Sequence, residues 1–169
     1  MRLSKNFTLN ELTKSNTATR LGIDNEPSKE GIMKLTLLAT ELLQPIRERL
    51  SAPLRITSGY RSPQLSEAIG SSSNSQHCRY EAVDLQFVKR GNMDNLMIYQ
   101  TLIDLDLDFD QAILEFGNAT EYIDPTHPDW IHLSWKVVDN RRQVLIAYKN
   151  IDNKTKYRVP TNYNSIRNF

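Results

Sequence analysis

The chain has 169 residues, long enough for one well-cored domain and short for two. With 21 basic and 20 acidic residues its net charge is +1, so no global field draws it to nucleic acid or an anionic membrane, and no apolar run approaches the roughly 20 residues needed to cross a bilayer. Cys78 is the single cysteine, which excludes an internal disulfide, and Met1-Arg2-Leu3-Ser4-Lys5-Asn6 lacks the apolar core of a signal peptide, so synthesis in the cytoplasm without an export route of its own is expected.

Thr8-Leu9-Asn10-Glu11 fits a capping box and predicts a short helix from Thr8 to Lys14. Asn16 to Pro27 loses periodicity and reads as a structured loop, so that residues 1–27 form a helix and loop packed on the domain. From Ser28 to Leu50, apolar residues recur at three- and four-residue steps, which predicts the main core helix, kinked near Glu41 to Pro45 because proline has no N–H to donate. Leu54 to Thr57 reads as a strand, and Ser62-Pro63 opens a helix that stops near Ile69. Tyr80 to Phe87 alternates, placing Asp84 on the polar face of a half-buried strand. A helix over 93–105 and a strand over 111–116 follow, then a long loop from Gly117 to Pro128. Trp130 to Val138 alternates with His132 and Ser134 on one face; Asp139-Asn140 suits a tight turn and Gln143 to Lys149 a hairpin partner, so residues 138–169 are expected to form a C-terminal hairpin extension, with Tyr157-Arg158-Val159 as one more edge strand. The expected architecture is a single α+β domain over 1–169, with an antiparallel sheet and helices on one face.

The chain has three histidines, and two of them fall at strand ends near acidic residues. His77 and Asp84 stand seven residues apart, and His132 closes Asp129-Trp130-Ile131-His132. Two imidazoles and a carboxylate are the right kind and number of ligands for a hydrolytic zinc site, which leaves a fourth position to water. If the strands of Asp84 and His132 lie side by side with their polar faces together, and His77 reaches in from the preceding loop, the three converge. Zn2+ is the expected cofactor and a peptide carbonyl a fitting target. Asp129, three residues before His132, is the expected general base and acid, and Arg61 the expected guanidinium for the developing charge or a substrate carboxylate. Glu115, inside Ile113-Leu114-Glu115-Phe116, needs a polar partner, met either by supporting a ligand histidine or by a plain salt bridge. His127 sits in a loop that favours a surface role. Cys78 is expected to be inert, because alternation turns it away from the face that His77 uses.

Five blocks in order carry a family resemblance: Phe7 to Leu12, Leu43-Gln44-Pro45-Ile46-Arg47, Ile56 to Pro63, Ser75-Gln76-His77 through Asp84, and Trp130 to Ser134. Together they resemble the zinc D-alanyl-D-alanine carboxypeptidases and L-alanyl-D-glutamate endopeptidases of the Hedgehog/DD-peptidase fold, especially the endolysin-like phage and prophage members. The resemblance implies His77, Asp84 and His132 as zinc ligands, Asp129 and Arg61 as catalytic residues, and the stem peptide of bacterial peptidoglycan as substrate. It leaves endopeptidase and carboxypeptidase action open. A monomer that reaches the cell wall after release or within a virion is expected, with no nucleic-acid partner and no membrane insertion. Tyr80 departs from the pattern, standing where the family usually has glycine, and Ser66 and Ser71 replace an asparagine and a glycine. Tyrosine there implies strain or a different turn. That departure keeps a second class in view: a phage structural or wall-binding protein with the fold and little catalysis.

Overall fold

Thr8 opens α1 (Leu9–Thr13) through the expected capping box: its hydroxyl accepts from the Glu11 amide, and the Glu11 carboxylate accepts from the Thr8 amide at 2.8 Å. The computed structural model describes residues 1–161. Inside the stretch expected to be loop lies a second short helix, α2 (Asn16–Leu21), capped by Ser15 and stopped by Gly22 in the left-handed conformation. Only Ala18 of its residues is buried, so no apolar stripe announces it.

The long helix runs as α3 (Lys29–Leu37), a π-helical turn (Leu38–Leu43) and α4 (Gln44–Leu50). The widened turn falls immediately before Pro45, and the Gln44 amide reaches back five residues to the carbonyl of Ala39. The hydrogen bonding thus changes where Pro45 was expected to disturb it, in a form that keeps most carbonyls satisfied where proline cannot donate. The Gln44 side chain then fastens the N-terminal segment, accepting from the Ser4 hydroxyl at 2.8 Å and the Asn6 amide at 3.0 Å.

The strands are β1 (Leu54–Ser58), β2 (Ala82–Lys89), the two-residue β3 (Asn92–Met93), β4 (Gln111–Glu115), β5 (Trp130–Ser134), β6 (Gln143–Lys149) and β7 (Thr155–Arg158), with α5 (Pro63–Ala68) after β1 and α6 (Leu96–Asp104) before β4. The sheet order is β1-β2-β5-β4-β6-β7, with β3 pairing to β2. Two expectations are corrected here. The sheet is mixed, because β4 and β6 run parallel, and β6 is not the hairpin partner of β5. Both edges of β5 are already taken, by β2 on one side and β4 on the other, so β6 turns back against the free edge of β4. The hairpin that does form joins β6 to β7, which lies at the sheet edge as expected. Residues 162–169 of the expected extension lie outside the described residues.

One sheet face is apolar. Val83, Leu85, Ile131, Leu133, Leu114 and Ile146 are buried there against Leu35, Leu38, Leu42 and Ile46 of the long helix and Ile98 and Leu102 of α6. Full burial of each such side chain contributes roughly 1.5–3 kcal/mol. The opposite face carries Asp84, His132 and Glu115 among apolar neighbours, and the chemistry lies on it.

Tyr80 does take a left-handed backbone, with φ 64°. For a residue with a Cβ this costs about 1–2 kcal/mol. Its ring offsets part of that cost by stacking on Tyr60 with centroids 4.2 Å apart, while its hydroxyl accepts from the Ser28 amide at 3.3 Å. The ring lies across Gly31, where a methyl would overlap it. Gly31→Ala is therefore expected to destabilise by about 1–3 kcal/mol, the usual cost of overpacking. Denaturant melts check this, and an unchanged midpoint would mean that the ring has another place to go.

Candidate metal centre

His77 sits in the turn that leads into β2 and is 3 % exposed. Burial pushes its pKa below the usual histidine value, outweighing the neighbouring Asp84, so the ring is neutral and carries one N–H. Nδ1 lies 2.7 Å from the carbonyl oxygen of Gly59, which can only accept, so the proton is on Nδ1. The lone pair on Nε2 then faces Asp84 Oδ1, 3.4 Å away. His132 presents Nδ1 to the same oxygen at 3.0 Å, because Asp84 and His132 are directly paired across β2 and β5. Burial alone would raise the Asp84 carboxyl; a proton or a cation shared with the two imidazoles holds it well below the usual carboxylate range.

One ligand atom from each of these three residues lies within 4.8 Å of the others. An imidazole lone pair aimed at a carboxylate is repulsive until a cation lies between them, and two nitrogens with one carboxylate oxygen form a zinc donor set. The carbonyl that fixes the His77 tautomer is the outer support such ligands usually have. The residues fit zinc.

The cluster opens into a cleft of about 480 Å³. Strand register explains its lining. Asp84, His132, Ile113 and Leu145 form one row across β2, β5, β4 and β6, and Trp130, Glu115, Ala147 and Tyr157 form the row beside it across β5, β4, β6 and β7. Residues paired in this way point to the same face. Glu115 and Tyr157 therefore stand on either side of the small Ala147, about 10 Å apart at two strand spacings. A larger depression of about 700 Å³ runs along β1 on the other side of Arg61, and no metal-ligating cluster lies in it among the described residues.

The peptidase M15 family model matches residues 5–105, more than half of the chain. The chain belongs to the peptidase M15 family. It is accordingly a metallopeptidase of a zinc peptidase family. No curated protein matches it. The span matched in this M15 chain carries Arg61, His77 and Asp84 and ends before β4, so the geometry alone joins Glu115 and His132 to them.

Arg61 lines the cleft, and its buried Nε has no hydrogen-bond partner among the described residues, leaving a donor for something that enters. Asp129 stands at the entry to β5. It precedes Trp130, whose side chain lines the cleft; its own side chain is exposed and does not. It lies in the bend just before β5, outside the strand, so strand alternation does not set its direction. The Asp129 backbone is what the site uses: its amide donates to the Glu115 carbonyl at 2.8 Å, and its carbonyl accepts from Asn95 at 2.8 Å. Glu115, read from sequence as a supporting residue or half of a salt bridge, lines the cleft itself. Burial, aided by the negative charge of Asp84, pushes its pKa up to about 7. Tyr157 was missed as a site residue, and only its pairing to Ala147 reveals it. His127 lies outside the cluster with Nδ1 2.9 Å from the Thr126 hydroxyl, and Cys78 Sγ turns to the Ser72 carbonyl at 3.8 Å. Ser66 is buried and its hydroxyl donates to the same Ser72 carbonyl at 2.8 Å, tying α5 to the loop that leads to His77.

Proposed function

We propose that the protein is a zinc-dependent peptidase that hydrolyses a peptide bond in the stem peptide of bacterial peptidoglycan. The observation that carries this reading is the convergence of His77 Nε2, His132 Nδ1 and the Asp84 carboxylate at the floor of a cleft also lined by Glu115 and Arg61. Zinc, when bound, supplies a Lewis acid for the scissile carbonyl and lowers the pKa of water toward about 7. Glu115 takes a proton from the attacking water on a carboxylate oxygen and returns it to the leaving amine nitrogen; a group whose pKa stands near 7 suits both transfers. This assigns to Glu115 the role that motif spacing assigns to Asp129. The Arg61 guanidinium meets the charge that develops on the carbonyl oxygen, or a substrate carboxylate, and Tyr157 forms the far wall. The five ordered sequence blocks support a phage or prophage origin, with the enzyme meeting the wall after release or as part of a virion.

The accommodation of Tyr80 bears on the structural-protein alternative. Its ring packs away over Gly31 and Tyr60, and the turn still delivers His77 to Asp84. Digestion of purified peptidoglycan tests the proposal. New amino and carboxyl termini are expected in the released muropeptides, abolished by a chelator and restored by zinc, and mass spectrometry of those termini names the bond. No zinc-dependent cleavage across several wall chemistries would favour the structural role.

A further inference from the structure

Gln76, next to the ligand His77, touches the other ligand histidine. Its Oε1 lies 3.3 Å from His132 Nε2, and its Nε2 lies 2.7 Å from Asp110 Oδ2. Asp110 is wholly buried at the start of the β4 segment, 2.5 Å from Arg141 Nη2 and 3.0 Å from Lys136 Nζ. Its backbone is fixed as well, with the amide donating to the Ser134 carbonyl at 2.7 Å and the carbonyl accepting from the Gln143 amide at 3.0 Å.

These contacts determine proton positions in sequence. A carboxylate held between two cations is ionised and can only accept. The Gln76 group facing it must therefore be the NH2, which turns Oε1 toward His132. That oxygen also only accepts, so His132 must present an N–H at Nε2. In the neutral ring Nδ1 is then without a proton, and Nδ1 is the atom that faces Asp84.

We propose that Gln76 and Asp110 are a positioning pair that fixes the Nε2–H tautomer of His132 and thereby holds its Nδ1 as a metal ligand. The inference rests on the reading of His77, Asp84 and His132 as a zinc site. It makes the paired cations Arg141 and Lys136 the outermost members of a chain that runs through Asp110 and Gln76 to the imidazole.

The test combines zinc affinity, measured by competition with a chromophoric chelator, with 15N shifts of the His132 ring in metal-free and zinc-loaded protein. Wild type is expected to show His132 protonated on Nε2 in both states. Gln76→Met keeps the length of the side chain but offers no acceptor of comparable strength. It is expected to bind zinc about 10- to 100-fold more weakly, the usual cost of losing an outer partner, and to show mixed His132 tautomers without metal. Asp110→Asn, which can turn either its NH2 or its oxygen to Gln76 and so no longer orients it, is expected to give mixed His132 tautomers as well. A metal-free wild type with His132 protonated on Nδ1 would overturn the proposal, as would wild-type zinc affinity in Gln76→Met. If Gln76→Met does not fold, the wild-type tautomer still decides. Failure of the wild type to bind zinc would remove the metal-holding role and the zinc-site reading together. A correct Nε2–H signal with weak zinc binding only in Gln76→Met supports both.

Discussion

Replacing Glu115 with glutamine is expected to lower turnover by about 100- to 10,000-fold, the usual contribution of a general acid-base group, while zinc content stays stoichiometric. Glutamine has the shape of glutamate but cannot take a proton from water or return one to the leaving amine. The carboxyl of Glu115 lines the metal-bearing cleft, and it pairs in register with Trp130 on the strand that carries His132. Asp129→Asn is the matched comparison. With its side chain exposed outside the cleft, it is expected to keep near-wild-type turnover. The measurement is hydrolysis of a stem peptide by the three forms at equal zinc occupancy. If Asp129→Asn loses activity and Glu115→Gln does not, the proton-transfer role returns to Asp129 and the strand must turn its side chain inward when substrate binds.

Removing either ligand histidine should have the largest effect on the metal. His77→Ala and His132→Ala are each expected to lose stoichiometric zinc, whereas His127→Ala, altered at an exposed loop residue outside the cluster, keeps it. The same variants should lose the stabilisation that zinc gives to wild type. A ligand that binds only the folded form adds about 2.7 kcal/mol when present at 100 times its Kd. Metal analysis and thermal melts with and without zinc provide the two readings. Full zinc content in either ligand variant would remove that residue from the site.

Much of this site is legible in residue order because its ligands obey local rules. Alternation puts Asp84 and His132 on the polar faces of their strands, and the structure pairs those very residues. The long helix announces itself through its apolar periodicity, and Pro45 marks where its hydrogen bonding must change. What could not be read depends on neighbours far away in sequence. Nothing in Gln143 to Lys149 says that β5 has no free edge, so a hairpin looked natural where a parallel pairing to β4 occurs. Tyr157 suffers from the same limit, and Glu115 in part: its need for a polar partner shows in sequence, but only strand order places the two on either side of Ala147. The helix α2 escaped for a different reason, since it buries one small side chain and owes its bounds to Ser15 and Gly22 at its ends.

The central place of β5 gives the metal point a role in time as well as in chemistry. Asp84 and His132 are 48 residues apart along the chain, and they meet only when β5 pairs with β2. A cation held by both adds a clasp to the β2–β5 ladder that already closes that long loop, so its loss is expected to make escape of the middle strand easier. Contacts of such range cost the most chain entropy to assemble and come late in folding. An ion bound there acts as a latch on that pairing, and the persistence of the fold is expected to follow the concentration of free zinc.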